Sequence, residues 1–509
     1  VKPAPERPLP DGFAVRLDPR TRRRDGGALL GGSPLRLLRL SARARGLLAG
    51  DRLVVRDATT ATLAARLLDA GLAHPDLPPA AAADVTVVVP VRDRPDGLAR
   101  LLAALADDPA TAALPVVVVD DGSAVPVVAG GARVVRHDVP RGPAAARNTG
   151  LRAAGTPFVA FLDSDCVPAP GWSDVLRPHL DDPRLAVVAP RIVALDPCAH
   201  GRALPGGAGW FAGYEAAVSA LDMGPHPAVV RPGSAVSYVP SAALLVRREA
   251  VGDGFDEAMR VAEDVDLVWR LAAAGWRVRY EPAATVAHAH PGTTGQWLRR
   301  RAFYGTGAAL LAARHGAAVA PLVVAPETAL AWALVLSGRR KAQGAAAVVL
   351  AVTAARLAPR LAGPGERPPA GFAALLVARG MGASGRALAR AVTRHHWPLA
   401  VPAALVSRRA RRCVLTAAAA DAVLAWWPHR RRVGPVRFAT ARRLEDLAYG
   451  AGLWAGAVRA RSVRALLPAR PWSDPRPIRN ASPPERLGAP RSAARPASVP
   501  ATTQPEEDL

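Results

Sequence analysis

From residue 85 onward, continuous apolar runs alternate with amphipathic stretches. VTVVVP at 85–90, PVVVVDD at 115–121 and FVAFLDSD at 158–165 have the length of strands, and the stretches between them, 98–105 and the residues after Gly142, have helical spacing. Repetition of strand, helix and strand predicts an α/β domain with a mostly parallel sheet over residues 84–315. Residues 12–78 have another rhythm. FAVRL at 13–17, a glycine-marked turn, LRLLRL at 35–40 and two short Leu/Ala-rich stretches predict a β-hairpin followed by small helices, a separate α+β domain closed by the linker 75–83. Residues 316–470 turn to Ala/Leu/Val-rich helical sequence with arginine clusters, and 471–509 form a polar, proline-rich stretch of the composition that stays disordered.

The helical region raises the question of a membrane. The best spanning candidate is 317–336, but it contains Pro321, Pro326 and Glu327, and the next apolar run, 344–355, is short for a bilayer. If both crossed, the cationic loop Arg339, Arg340 and Lys341 would prefer the cytoplasm and carry residues 84–315 outside. A helical bundle resting on the cytoplasmic membrane face, or a purely cytoplasmic one, avoids that conflict. Residues 1–10 are polar and proline-rich and carry no secretory h-region.

Composition narrows the choice little further. The net charge of +24 is almost wholly arginine, since Lys2 and Lys341 are the only lysines, and no recognisable nucleic-acid module accompanies it, so nucleic acid is not expected as a partner. Three widely spaced cysteines, Cys166, Cys198 and Cys413, argue against a disulfide framework or a zinc site and fit a reducing cytosol.

Acidic residues recur where apolar strands end. Asp120 and Asp121 open DDGS directly after a strand, a position from which carboxylates in open α/β sheets meet ligands, although the same tetrapeptide makes an ordinary turn. In RGPAAARNTG at 141–150, Arg147 sits near a helix start, where it can pair with phosphate, pair with the carboxylates of the DDGS strand, or simply face solvent. Asp163 and Asp165, alternate residues at the end of FVAFL, suit a hard divalent ion, Mg²⁺ or Mn²⁺, that neutralises a leaving diphosphate.

Glu263, Asp264 and Asp266 begin the helix in AEDVDLVWR, where helix-end electrostatics accounts for one or two acids but not all three. Asp264 is the candidate general base, with Glu263 orienting it or the acceptor, and Asp266 with Arg270 forms an i, i+4 pair. His288 and His290 close the strand ATVAHAH, and His290 is the candidate third metal ligand, with a structural role open for both. Gln296, Arg299 and Arg300 follow on an amphipathic helix that can hold acceptor or diphosphate.

The ordered set DDGS, RN, DSD and EDVDLVWR over about 230 residues resembles the inverting family-2 glycosyltransferases of GT-A fold, the nucleotide-diphospho-sugar transferase fold. The resemblance implies that Asp120 and Asp121 read the nucleoside of a UDP-sugar, that Asp163 and Asp165 are its metal motif, and that Asp264 is the base of a metal-dependent hexosyl transfer. Gln296 to Arg300 is similar to the QxxRW motif of processive synthases but carries arginine where that motif has tryptophan. GGSPLRLLRL and LLDAGLAHP bring a closer resemblance to the mycofactocin-biosynthesis glycosyltransferases, whose N-terminal domain resembles winged-helix-like PqqD-type peptide-recognition domains. That resemblance implies a premycofactocin-type acceptor decorated with β-linked glucose. A membrane polysaccharide or glycolipid synthase would share the catalytic motifs but should carry several convincing spans, and a non-catalytic peptide-binding scaffold would not need the intact acids.

Overall fold

The computed structural model describes residues 1–24, 27–48, 50–195, 210–363 and 367–471. The proline-rich stretch predicted to be disordered lies outside them from residue 472, as does Cys198; Cys166 is buried and Cys413 exposed, both as free thiols.

The N-terminal region is α+β, as its rhythm predicts, but its strands pair differently. Ala14–Leu17 takes the centre of a three-stranded antiparallel sheet between Arg52–Val54 and Ala73–Pro75, while the hairpin forms between Ala28–Gly31 and Arg36–Arg39. The FAVRL and LRLLRL segments therefore belong to separate sheets. The reason is that Val15 and Leu17 bury themselves among Leu67, Leu68 and Leu72, which come from and follow the helix Ala58–Ala70, a longer-range contact that the local alternation does not announce. That helix is fixed at both ends: Thr60 N donates to Asp57 Oδ1 at 2.7 Å, and Gly71 closes it with φ of 67°.

The second sheet runs in the order Cys166–Pro168, Arg277–His288, Leu185–Ala194, Ala243–Arg247, Phe158–Leu162, Val85–Val91, Val116–Asp120, Arg133–Arg136, with Ala228–Val229 paired to Arg277–His288 off this path. The half from Phe158–Leu162 to Arg133–Arg136 is parallel, but Ala243–Arg247 lies antiparallel to both its neighbours, so the sheet is mixed rather than mostly parallel. The cause is topological. Ser237, Tyr238, Pro240, Ser241 and Ala242 line the edge where the parallel strands end, and a strand leaving that edge has to run the other way. Val88, Phe161 and Leu244 on one face and Val87, Ala160 and Leu245 on the other are buried in two apolar layers, which fixes the strand register.

Helices complete the chain. Thr294–His315 crosses the sheet edge, and Pro435–Arg459 returns from the C-terminal region to lie against it. A Cβ at Gly452 would stand 1.8 Å from the Ala302 carbonyl oxygen, and one at Gly305 would stand 2.2 Å from that of Tyr449, so glycine alone permits this approach. The C-terminal region is thus packed into the sheet domain at this helix.

The spanning candidate 317–336 does not form one helix: the turn Gly316–Val319 and an extended link separate it from Pro326–Leu336, whose 11 residues reach about 16 Å at 1.5 Å per residue. The prolines are the reason. The second run, 344–355, is instead the middle of Arg340–Leu361, the one helix among the described residues long and apolar enough to cross a membrane by length and composition.

Candidate active site

The strands ending in Asp120 and Leu162 deliver their acids to a common edge, where a cleft of about 810 Å³ opens between the sheet and the helix Thr294–His315. Ligand sites at the carboxyl ends of parallel strands are the rule in open α/β sheets.

Asp120 does not reach this cleft. It is fully buried, its oxygens accepting from Ser123 N at 2.9 Å, Val127 N at 3.2 Å and the Arg136 guanidinium, so it holds the DDGS turn together. Burial opposes its charge, but these hydrogen bonds lower its pKa overall. Asp121 does line the cleft. Its carboxylate takes the Arg141 and Gly142 backbone N–H groups, each at 2.8 Å, and faces His137 Nδ1 at 2.8 Å, which fixes the start of the helix Pro143–Ala153.

That helix carries Arg147 into the interior, where it joins the two acid groups. Its Nη2 donates to Asp163 Oδ1 at 2.7 Å and its Nη1 to Glu263 Oε1 at 3.1 Å. Burial works against the guanidinium charge, yet Asp163 and Glu263 raise its pKa above the usual value. Arg147 is therefore a strut between the strand-end acids and the helix Glu263–Ala273, and not a free cation awaiting phosphate. Beside it, Asn148 donates to the Phe255 carbonyl and accepts from the Phe255 amide, both at 2.8 Å, tying down the loop that precedes the helix.

The helix begins from an uncommon backbone: Ala262 has φ of 62°, the left-handed region that a residue with a Cβ rarely adopts. Ala262 supplies no capping oxygen, and the Asp264 carboxylate instead accepts from Val265 N at 2.8 Å and, across the cleft wall, from Ser241 N at 3.2 Å. Burial raises the pKa of Asp264 above the usual aspartate range, and burial together with Asp264 raises that of Glu263. Asp266 turns away from the cleft. It is fully buried, bonded to Arg270 Nε at 2.7 Å and facing His315 Nε2 at 2.9 Å, which extends the expected i, i+4 pair into a clamp on the end of Thr294–His315.

Asp165 lines the same cleft as Asp264. Its Oδ1 is 3.3 Å from His288 Nε2 and its Oδ2 3.7 Å from Arg94 Nη1; burial opposes its charge, but His288 leads the groups that bring its pKa down to about 2. Potential ligand atoms of Asp165, Cys166 and His288 all fall within 4.8 Å of one another. The thiol is unsuited to a hard ion: burial pushes its pKa well up and its Sγ is engaged with the Ala242 carbonyl at 3.3 Å. Oxygen from Asp165 and nitrogen from His288, with Asp163 held by Arg147 in the same cleft lining, make a donor set compatible with Mn²⁺ or Mg²⁺.

His290 does not belong to this set. It lies beyond the end of the strand, its Nδ1 3.7 Å from Glu215, and burial lowers its pKa to about 4. The geometry thus favours His288 over the expected His290 as a candidate ligand, because the pairing of Cys166 with His288 brings it to Asp165.

Gln296 and Arg299 are exposed at the start of Thr294–His315, outside the cleft lining; Gln296 N donates to the Thr293 cap at 3.2 Å and Arg299 Nε to Gly295 O at 3.2 Å. Arg300 does line the cleft, and so does Arg301, which is buried on Glu215 with Nη2 2.7 and 2.6 Å from its two oxygens. The periodicity of the helix puts Arg300, Phe303, Tyr304, Ala308 and Leu311 toward the cleft. Arg94, Ser241, Arg394 and Tyr449 also line it and carry no local sequence signal that marks them.

The family described as glycosyl transferase family 2 matches residues 86–231. The chain is 48% identical over 481 residues to the pre-mycofactocin glycosyltransferase of Mycobacterium tuberculosis, covering 90% of this chain and 98% of that protein. It is 32% identical over 236 residues to the succinoglycan biosynthesis protein ExoO of Rhizobium meliloti, covering 42% of this chain and 64% of that protein. Among solved structures, a mannosyltransferase of Pyrobaculum calidifontis in complex with GDP-Man and Mn²⁺ is 22% identical, with a TM-score of 0.34 over 69% of this chain and 90% of that one.

Proposed function

We infer the finer activity from family membership, since this chain belongs to the pre-mycofactocin glycosyltransferases of glycosyl transferase family 2. It transfers glucose from UDP-glucose, with inversion, onto a premycofactocin acceptor and extends the product into a β-linked oligo-glucose chain. The observation that carries this reading is the division of the cleft's acids: Asp163 and Asp165 at a strand end, Asp264 on the facing helix, and Arg147 locking the distance between the groups.

Inverting displacement needs this separation, because the acceptor oxygen attacks the anomeric carbon from the side opposite the departing diphosphate. Asp165 and His288, with Asp163 beside them, would hold a divalent ion, which when bound would supply positive charge to the diphosphate. Arg94 and Arg300 add cationic charge on the same side. Asp264 takes the proton of the attacking hydroxyl as the new C–O bond forms and the bond to UDP breaks. Its burial makes it a stronger base than an exposed aspartate, and the Ser241 and Val265 amides aim its lone pairs. Asp121 acts toward the nucleoside, where Asp120 supports the turn from behind.

Exposed Leu399, Leu405 and Val406, close in sequence to Arg408, Arg409, Arg411 and Arg412, support docking of the C-terminal helices on the anionic inner membrane face. The test of activity is incubation with UDP-glucose, Mn²⁺ or Mg²⁺ and premycofactocin, with masses read for successive hexoses and the linkage read by NMR. Repeated hexose additions in β linkage are expected; an α linkage overturns inversion, and hexose from another donor alone overturns the glucose assignment.

A further inference from the structure

The helix Pro435–Arg459 brings charge as well as packing to the cleft. Its Gly450 admits the turn Ala391–His395, since a Cβ there would stand 2.2 Å from the Arg394 carbonyl oxygen. Close by, the same helix carries Glu445 and Asp446, both buried. Glu445 Oε2 accepts from the Tyr214 hydroxyl, while its Oε1 lies 3.3 Å from Arg394 Nη1 and 3.6 Å from Arg301 Nε. Burial opposes the Glu445 charge, but Arg394 and Arg301 bring its pKa below the usual glutamate value. One carboxylate thus joins two arginines that line the cleft from different elements.

Arg301 is gripped along one edge of its guanidinium. Nη2 donates to both Glu215 oxygens, and the neighbouring Nε, buried and without a hydrogen-bond partner, faces Glu445. Among the described residues Nη1 makes no hydrogen bond, so it is the nitrogen left for the cleft that Arg301 lines. The residue stands on the metal side. Glu215 meets both Arg301 and His290, and burial leads the groups that lower the His290 pKa to about 4, with His288, Arg301 and Arg300 adding to it. An arginine held in place before the donor arrives stabilises charge that develops on a diphosphate without first having to reorganise.

We propose that Glu445 is a positioning residue of the transfer, acting with Glu215 to fix Arg301 so that its free Nη1 faces the departing diphosphate. The proposal rests on the transferase reading of the cleft. It makes the C-terminal region, which lies outside the family-2 match at 86–231, a working part of the donor side. Neutralising Glu445 removes a negative charge beside two arginines, so electrostatics alone would strengthen both UDP binding and turnover. Loss of positioning instead lowers turnover while UDP binding holds or strengthens, and a role in packing alone changes neither in the folded protein.

Glu445→Gln in the full chain tests it, with UDP release from UDP-glucose in saturating Mn²⁺ and premycofactocin, and calorimetric UDP binding, measured on one sample whose folding is verified by thermal melting. Expected is a kcat lower by about tenfold or more, the scale on which misplacement of a group is felt at a reaction centre, with the UDP Kd equal to that of wild type or smaller. A kcat within about twofold of wild type or above it, or a fall matched by an equal loss of UDP affinity, overturns the proposal. If Glu445→Gln does not fold, Tyr214→Phe decides, because it frees Glu445 Oε2 and leaves every charge in place: a lower kcat at unchanged UDP affinity supports the positioning, and an unchanged kcat overturns it. If premycofactocin elicits no release from wild type, the acceptor reading fails by itself, and the same comparison is made on acceptor-free hydrolysis of UDP-glucose. Absence of hydrolysis as well removes the transferase reading and the positioning role with it.

Discussion

Asp264→Asn separates the chemistry of this residue from its structural work. The carboxylate accepts from Ser241 N and Val265 N, one on each oxygen. Asparagine offers a single acceptor oxygen, so one of these bonds is lost and an N–H is set against an NH₂, at a cost of about 1 kcal/mol. Against this, burial raises the Asp264 pKa above its ordinary value, so the ionised carboxylate is itself unfavourable in the fold. The sign follows from linkage: a folded-state pKa above the unfolded one means that Asp264 costs stability as pH rises through the folded value, and the cost is absent below the unfolded value.

The variant should therefore improve relative to wild type in melting temperature as pH goes from acid to neutral, with a small net change at neutrality. Turnover should behave otherwise. Loss of a positioned base lowers kcat by roughly 10²–10⁴-fold, at least about 2.7 kcal/mol of barrier. UDP affinity, set on the opposite side of the cleft, should hold within about twofold. Turnover and calorimetric UDP binding on one folded sample decide the matter: kcat within about threefold of wild type refutes the assignment of the base. Wild-type kcat should also fall at its acid limb at a higher pH than an ordinary aspartate would give.

The metal assignment predicts that excess EDTA abolishes turnover and that Mn²⁺ or Mg²⁺ restores it; Asp165→Ala and His288→Ala should raise the metal concentration required, whereas His290→Ala should leave it unchanged, as titrations of rate against metal will show. Asp266→Asn should destabilise the protein by roughly 3–5 kcal/mol at neutral pH, because it removes the buried negative charge that Arg270, Arg314 and His315 face. Burial opposes the Asp266 charge, but His315 and Arg270 bring its pKa down to about 2, so this contribution is present above the ordinary aspartate value and is lost as pH falls toward about 2. Denaturant midpoints across the acid range should show the gap between variant and wild type closing. Gly452→Ala places a Cβ against the Ala302 carbonyl and should cost about 1–3 kcal/mol in denaturant unfolding by forcing Pro435–Arg459 away from Thr294–His315.

The residues legible in the sequence are those whose placement is local. Asp163 and Asp165 follow a buried strand, and Glu263 and Asp264 begin an amphipathic helix, so strand end and helix start place them without further knowledge of the fold. Asp120 obeys the same local rule and yet serves the turn, because DDGS bends back far enough for Ser123 and Val127 to occupy its oxygens. His288 and His290 are alike in sequence. Only the pairing of Cys166 with His288, a contact across 122 positions, distinguishes the one that meets Asp165 from the one that meets Glu215.

The same physical distinction explains why the reaction is easier to read than the acceptor. Charge stabilisation and proton transfer require acids at fixed backbone positions, and element ends provide those locally. The rest of the cleft lining is built from surfaces between elements: Leu311 on one helix, Val319 on the turn after it, Trp269 on another helix, and Arg394 and Tyr449 from the distant C-terminal region. None of these is marked by spacing. They share a cleft because Gly305 and Gly452 let two helices approach, and Gly307 lets one of them approach the segment before Asp264. The family-2 match ends at residue 231, before Asp264 and before every one of these lining residues. Within a common sheet edge, the acceptor can therefore change through helix packing while the strand-end acids remain where the chemistry needs them.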